Sequence, residues 1–262
     1  MMEKKELKKR LASLDLFLID IDDTIAPHMT VGIANTLARD VISSCFFNEK
    51  LENPDHIITT KENVSFILKS FFKNKIVFTK NKKQYKDLFF VLYYGIKLHI
   101  LKLLFNLTNA SKIYHVSNEC LINNFLLLLK KTNTNITKYQ YNNQQLQKSL
   151  FPGVKEFLEK IKTTKIAMSQ SFDVGTYKQL LHFDKIIDNN INKIQIKNSN
   201  DKYRIAKNLS KDKKEIGILM NDYEDEELLK LSNVKLIIMK SPPWRLKKKA
   251  DVIIQKDYEY LL

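Results

Sequence analysis

Residues 15–24 read DLFLIDIDDT: four apolar residues enclosed by Asp15 and Asp20, followed by further acids at Asp22 and Asp23 and a hydroxyl at Thr24. A short uninterrupted apolar run has the pattern of a strand buried on both faces, as found in parallel sheets covered by helices. The acids directly after it lie where open α/β sheets bind their ligands, beyond the carboxyl ends of the strands. Residues two apart in extended chain point the same way, so Asp20 and Asp22 are expected to aim their carboxylates at one site. Two acids held together repel unless a cation neutralises them or one keeps a proton, and both conditions serve phosphoryl transfer.

Similar apolar runs recur at 165–168, 216–220, 234–239 and 252–254, with helical spacing between them at 154–161, 174–181, 203–209 and 224–231. This alternation predicts βαβ units and an α/β, Rossmann-like parallel sheet. Residues 31–150 have another texture. Apolar positions there recur at helical intervals through 31–47, 63–72, 85–105 and 117–129, which predicts an all-helical insertion. The expected organisation is therefore a core of residues 1–30 and 151–262 and a helical cap of residues 31–150. The chain re-enters the core at Phe151-Pro152-Gly153, a turn signal ahead of a helix, and the Asn-rich stretch 133–147 reads as a loop.

A hydrophobic strand ending in DxDxT resembles the first motif of the haloacid dehalogenase superfamily of phosphatases, and the other motifs follow in order. Ile166-Ala167-Met168-Ser169 resembles the second, Lys202 ahead of a helical run the third, and residues 216–222 with Tyr223-Glu224-Asp225-Glu226 the acidic fourth. The resemblance implies that Asp20 is a covalent nucleophile and Asp22 a general acid and base. It implies that Thr24 and Ser169 bind the phosphate and that Lys202 neutralises charge on Asp20 and the transferring group. Magnesium would be held by Asp20, the backbone carbonyl of Asp22 and Asp222, all hard oxygen donors. The acid at Asp22 sets the pattern apart from the superfamily's dehalogenases. The fourth motif departs from the family by carrying Asn221 in place of Gly and Glu226 and Glu227 where a second Asp is usual.

The expected activity is magnesium-dependent hydrolysis of a small phosphorylated metabolite, with transfer to another alcohol as a variant of the same chemistry. Two alternatives stand beside it: a scaffold that kept the fold and lost turnover, and a phosphatase associated with nucleic acid. The net charge of +15 suits an anionic partner, but the lysines are spread through the whole chain and no nucleic-acid motif accompanies them. Cys45 and Cys120 lack zinc-ligand spacing and read as buried thiols. Residues 88–107 are long enough to span a bilayer, but Lys97 and Lys102 would each cost about 2.5–3.5 kcal/mol there. A buried helix is the expectation for that segment. The charged residues 1–10 lack the apolar stretch of a secretory signal, which points to the cytoplasm.

Overall fold

The structure is a computed structural model, and it describes residues 2–47, 54–73, 76, 81–108, 111–172, 174–221, 223–239, 242 and 244–261. The chain divides into two compact units, residues 1–26 with 149–262, and residues 27–148. The boundaries expected from the sequence stand at 30/31 and 150/151.

The first unit begins with α1 (Lys4–Ala12) and β1 (Leu16–Asp20). The second holds α2 (Met29–Phe46), α3 (Thr60–Lys73), α4 (Lys82–Thr108) and α5 (Ser111–Thr132), and α6 (Asn143–Ser149) follows. The first unit then resumes with α7 (Val154–Lys160), β2 (Thr164–Phe172), α8 (Tyr177–Leu180), β3 (Lys185–Asn189), α9 (Ser199–Leu209) and β4 (Ile216–Met220). It ends with β5 (Val234–Ile238), α10 (Trp244–Lys249) and β6 (Val252–Ile254).

Among the described residues, the six strands form one sheet in the order β3-β2-β1-β4-β5-β6, and every pairing is parallel. β1 and β4 lie at its centre and are buried at every position, as their unbroken apolar sequences require. On one face Leu16, Leu18, Ile166, Met168, Ile216 and Ile218 share a core with Ala206 of α9. Phe17 meets Phe157 of α7 edge to face, and Phe157 in turn packs against Tyr258. This strand order reverses direction between β1 and β4, and the crevice opened by such a reversal is where α/β sheets bind ligands.

Several expectations need correction. β3 was absent from the sequence reading, and 223–231, expected as a helix of the ordinary kind, is a 3-10 helix. The stretch 133–147 is not a plain loop: it contains a 3-10 turn at Ile136–Tyr139 and most of α6. Asn142 starts α6 by a reciprocal cap, its side chain accepting from the Gln145 N–H (3.0 Å) while Gln145 accepts from the Asn142 N–H (2.7 Å). α4 is not buried all round, since Leu88, Val91 and Tyr94 are covered and Phe89, Leu92 and Tyr93 are exposed. Cys45 is a buried free thiol, whereas the Cys120 side chain lies outside the described residues.

In the second unit Ile42, Cys45 and Leu88 form a small core with Ile67 and Phe71. Polar ties supplement it: Asn35 donates to the Ile58 carbonyl and accepts from Asn63, and Tyr139 donates to Asp40. The re-entry turn of the first unit is equally constrained. Gly153 has φ +72°, and a Cβ there would stand 2.6 Å from the Glu259 backbone nitrogen. Gly153→Ala is expected to lower stability by about 1–3 kcal/mol, measured by urea unfolding, because both the left-handed backbone and the contact with main chain resist a side chain.

Candidate active site

β1 delivers Asp20 to the carboxyl edge of the sheet, and the chain then turns tightly on itself. The Asp23 N–H bonds the Ala26 carbonyl (2.7 Å), and the Thr24 and Ile25 N–H groups both return to Ile21. Asp23 adopts φ 55°, a conformation that Asp tolerates better than most residues. The turn brings the Thr24 hydroxyl within 2.6 Å of Asp20 Oδ2, to which it donates. Tyr258, fully buried, donates to the Thr24 carbonyl (2.9 Å) and so ties the turn to the end of the chain.

Lys202 comes from the first turns of α9, a helix started by Asn198, whose side chain accepts from the Asn200 and Asp201 N–H groups. Its Nζ donates to Asp20 Oδ1 at 2.6 Å and to Asp225 Oδ2 at 2.9 Å. Both carboxylates and the ammonium are buried, with 8%, 2% and 5% of their side chains exposed. Asp22 takes part through different partners. Ser169 donates to its Oδ2, Ser171 to its Oδ1 (2.6 Å), and the Ser171 N–H donates to the Ser169 hydroxyl (2.9 Å).

The two serines share a face because β2 does not end at Ser169, as the sequence suggests, but runs on to Phe172 with a shift of register against β3 between Met168 and Phe172. Ser171 therefore sits beside Ser169. On the far side, Asn221 after β4 donates its amide to the Asp22 carbonyl at 3.0 Å.

The sequence-derived residues form two buried hydrogen-bonded groups, Asp20 with Thr24 and Lys202, and Asp22 with Ser169, and the Asp22 carboxylate acts electrostatically on Asp20. Asp222 lies outside the described residues. Among the described residues of the acidic segment, the one that reaches Lys202 is Asp225, rather than Glu226 or Glu227 where the family's second Asp is usual. Glu226 is directed away to Arg245 (2.8 Å) and Lys249 (2.7 Å) of α10. Ser171 and Tyr258 are further members that the motifs did not indicate, and Asn221, which in the sequence only marks a departure from the fourth motif, is a third.

Electrostatically the network is short of positive charge. Burial pushes the Asp20 carboxyl up to about 7 from 3.8; the Lys202 ammonium opposes this, while the neighbouring carboxylates Asp225 and Asp22 add to it. Among the described residues no three His, Cys, Asp or Glu side chains form a ready-made metal cage. The donor set still suits a hard cation: clustered carboxylates, the Asp22 carbonyl, and Asn221 Oδ1, a buried oxygen with no hydrogen-bond partner.

No protein-family model and no curated protein matches the chain. Among solved structures it is similar to phosphoserine phosphatase in its apo form, at 14% identity over 95% of this chain and 98% of that one, with a TM-score of 0.48. It is similar to a protein of Thermotoga maritima named for beta-phosphoglucomutase, at 9% identity over 94% and 96% of the two chains and a TM-score of 0.41. It is also similar to DsGPDH of Dunaliella salina, at 12% identity and a TM-score of 0.46, with 98% of this chain covering 37% of that one. The first two are members of the haloacid dehalogenase superfamily. The likeness is one of fold.

Proposed function

We propose that the chain is a magnesium-dependent phosphomonoester hydrolase of the haloacid dehalogenase type, acting through an aspartyl-phosphate on Asp20. The observation that carries this reading is the Asp20 carboxylate, held on one oxygen by Lys202 and on the other by Thr24, with Asp22 close enough to raise its pKa. Two fixed donors leave a carboxylate little rotational freedom, and a nucleophile aligned in advance saves much of the entropy of attack.

An Asp20 oxygen attacks phosphorus, the bond to the substrate oxygen breaks, and Asp22 protonates the departing alcohol. Water then attacks the phosphorus of the aspartyl-phosphate, Asp22 takes its proton, and inorganic phosphate leaves with Asp20 restored. The Ser171 hydroxyl keeps Asp22 directed at the reacting oxygen, while the Ser169 and Thr24 hydroxyls, each with a single proton, turn from Asp22 and Asp20 to donate to the phosphate when it binds. Lys202 offsets the charge gathered by Asp20 and the transferring group. Asp20, the Asp22 carbonyl and Asp222 would hold magnesium, which when bound supplies positive charge to the phosphate oxygens. The substrate class is a small phosphorylated metabolite.

Hydrolysis of an aryl phosphate by the pure chain, with magnesium and with a chelator, tests the reading. Turnover that requires the metal is expected. No turnover under either condition would favour instead a binding protein that retained the fold, a reading to which Asn221, in place of the family's Gly, lends support.

A second expectation concerns pH. The metal-free folded chain holds on Asp20 a proton that the unfolded chain releases near 3.8, so this group's contribution to stability declines as pH rises from about 4 through about 7. Bound magnesium requires the ionised carboxylate. The rise in melting temperature on adding magnesium is therefore expected to be larger at pH 8 than at pH 5, measured by differential scanning fluorimetry.

A further inference from the structure

Among the described residues, α4 carries a face that stands exposed on its own unit. Tyr85, Phe89, Leu92 and Tyr93 are 42%, 63%, 46% and 51% exposed, and the Phe89 and Tyr93 rings stack with centroids 6.2 Å apart. Lys82, Lys86 and Lys97 are exposed on the same side. With 3.6 residues per turn, these seven positions fall within an arc of about 140°, while Leu88, Val91 and Tyr94 point the other way and are buried. α3, packed like α4 against α2, repeats the pattern with Val64, Leu68 and Phe72, the last 89% exposed, and with Lys61 and Lys69 exposed beside them.

We propose that this helical face docks on an anionic lipid surface without crossing it. Three occupants are conceivable, and the chemistry separates them. A second copy would set one lysine-rimmed face against another, so like charges would meet around the apolar centre. Nucleic acid would satisfy the lysines but leave Leu92 in water. Acidic headgroups above acyl chains accept both features: the aromatic and aliphatic side chains enter the interface and the lysine ammonium groups reach up to the phosphates. Among the described residues no helix is long and apolar enough to cross a membrane, so the contact is peripheral. This inference does not depend on the phosphatase reading.

The test is sedimentation of the full chain with vesicles of phosphatidylcholine alone and of seven parts phosphatidylcholine to three parts phosphatidylserine. Binding is expected to be at least about tenfold stronger with phosphatidylserine and to weaken as salt is raised. Phe89→Ser with Tyr93→Ser should lower it more than about tenfold, and Lys82→Glu with Lys86→Glu by about fivefold or more per lysine, with unchanged circular-dichroism melts. Absence of binding, equal binding to both vesicles, or full binding by either double variant would overturn the proposal. So would sedimentation velocity showing a dimer that Phe89→Ser with Tyr93→Ser converts to monomer, because the face would then belong to a second copy.

Discussion

Asp20→Asn is expected to lower turnover at least about 10⁴-fold while leaving the chain folded. An amide of the same shape accepts from Lys202 but cannot form the acyl-phosphate, so the loss should fall on the chemical step rather than on binding. Stability should move in the opposite direction. Because burial holds the Asp20 carboxyl up to about 7, its ionised form is disfavoured in the metal-free protein at pH 8. The neutral variant should then melt at the same temperature as the parent or higher. A variant that keeps activity would point to another nucleophile, and one that melts far lower would mean that the Asp20 charge stabilises the fold.

Lys202→Met carries the second large effect, this time on stability. Lys202 is 4% exposed and stands between Asp20 and Asp225, so its removal leaves two buried carboxylates facing each other. Breaking a buried pair in this way costs about 3–5 kcal/mol. Urea unfolding at pH 8 should show that loss. It should be smaller at pH 5, where Asp20 carries its proton. Replacing Asp225 by Leu in the same chain should recover part of it, since the second buried charge is then removed as well. An unchanged unfolding midpoint would mean that water or another group already serves these carboxylates.

The parts of the fold that were legible are those whose burial is written into consecutive residues. β1 and β4 are buried at every position, and their sequences LFLI and IGILM show it directly. β3 lies at the sheet edge and has only Ile186 and Ile187 between Lys185 and Asp188, which is too short a run to stand out from a turn. α1 buries just Leu7 and Leu11 amid lysines, and it reads as a basic cluster rather than as a helix.

The candidate site divides along similar lines. Asp20 and Asp22 are reached by strand alternation, whereas Thr24, Ser169 and Lys202 are reached only through the resemblance of ordered motifs. The family's second acid stands four or five residues after the first, which points to Glu226 and Glu227 rather than to Asp225. In the 3-10 helix Tyr223–Leu231 the neighbouring acids take different partners, Asp225 meeting Lys202 and Glu226 meeting Arg245 and Lys249 of α10. The cations that receive Glu226 belong to the cluster 245–249, whose charge alone was visible in the sequence. Ser171 reaches Asp22 only because β2 continues past Ser169, and no local pattern announces that extension.

The most direct measurement is mass spectrometry of the protein quenched in acid during turnover of an aryl phosphate with magnesium. The account predicts one phosphoryl group on the peptide containing Asp20, released by hydroxylamine and missing from Asp20→Asn. Turnover with no covalent adduct in the quenched protein, or with the phosphoryl group on a different side chain, would contradict it.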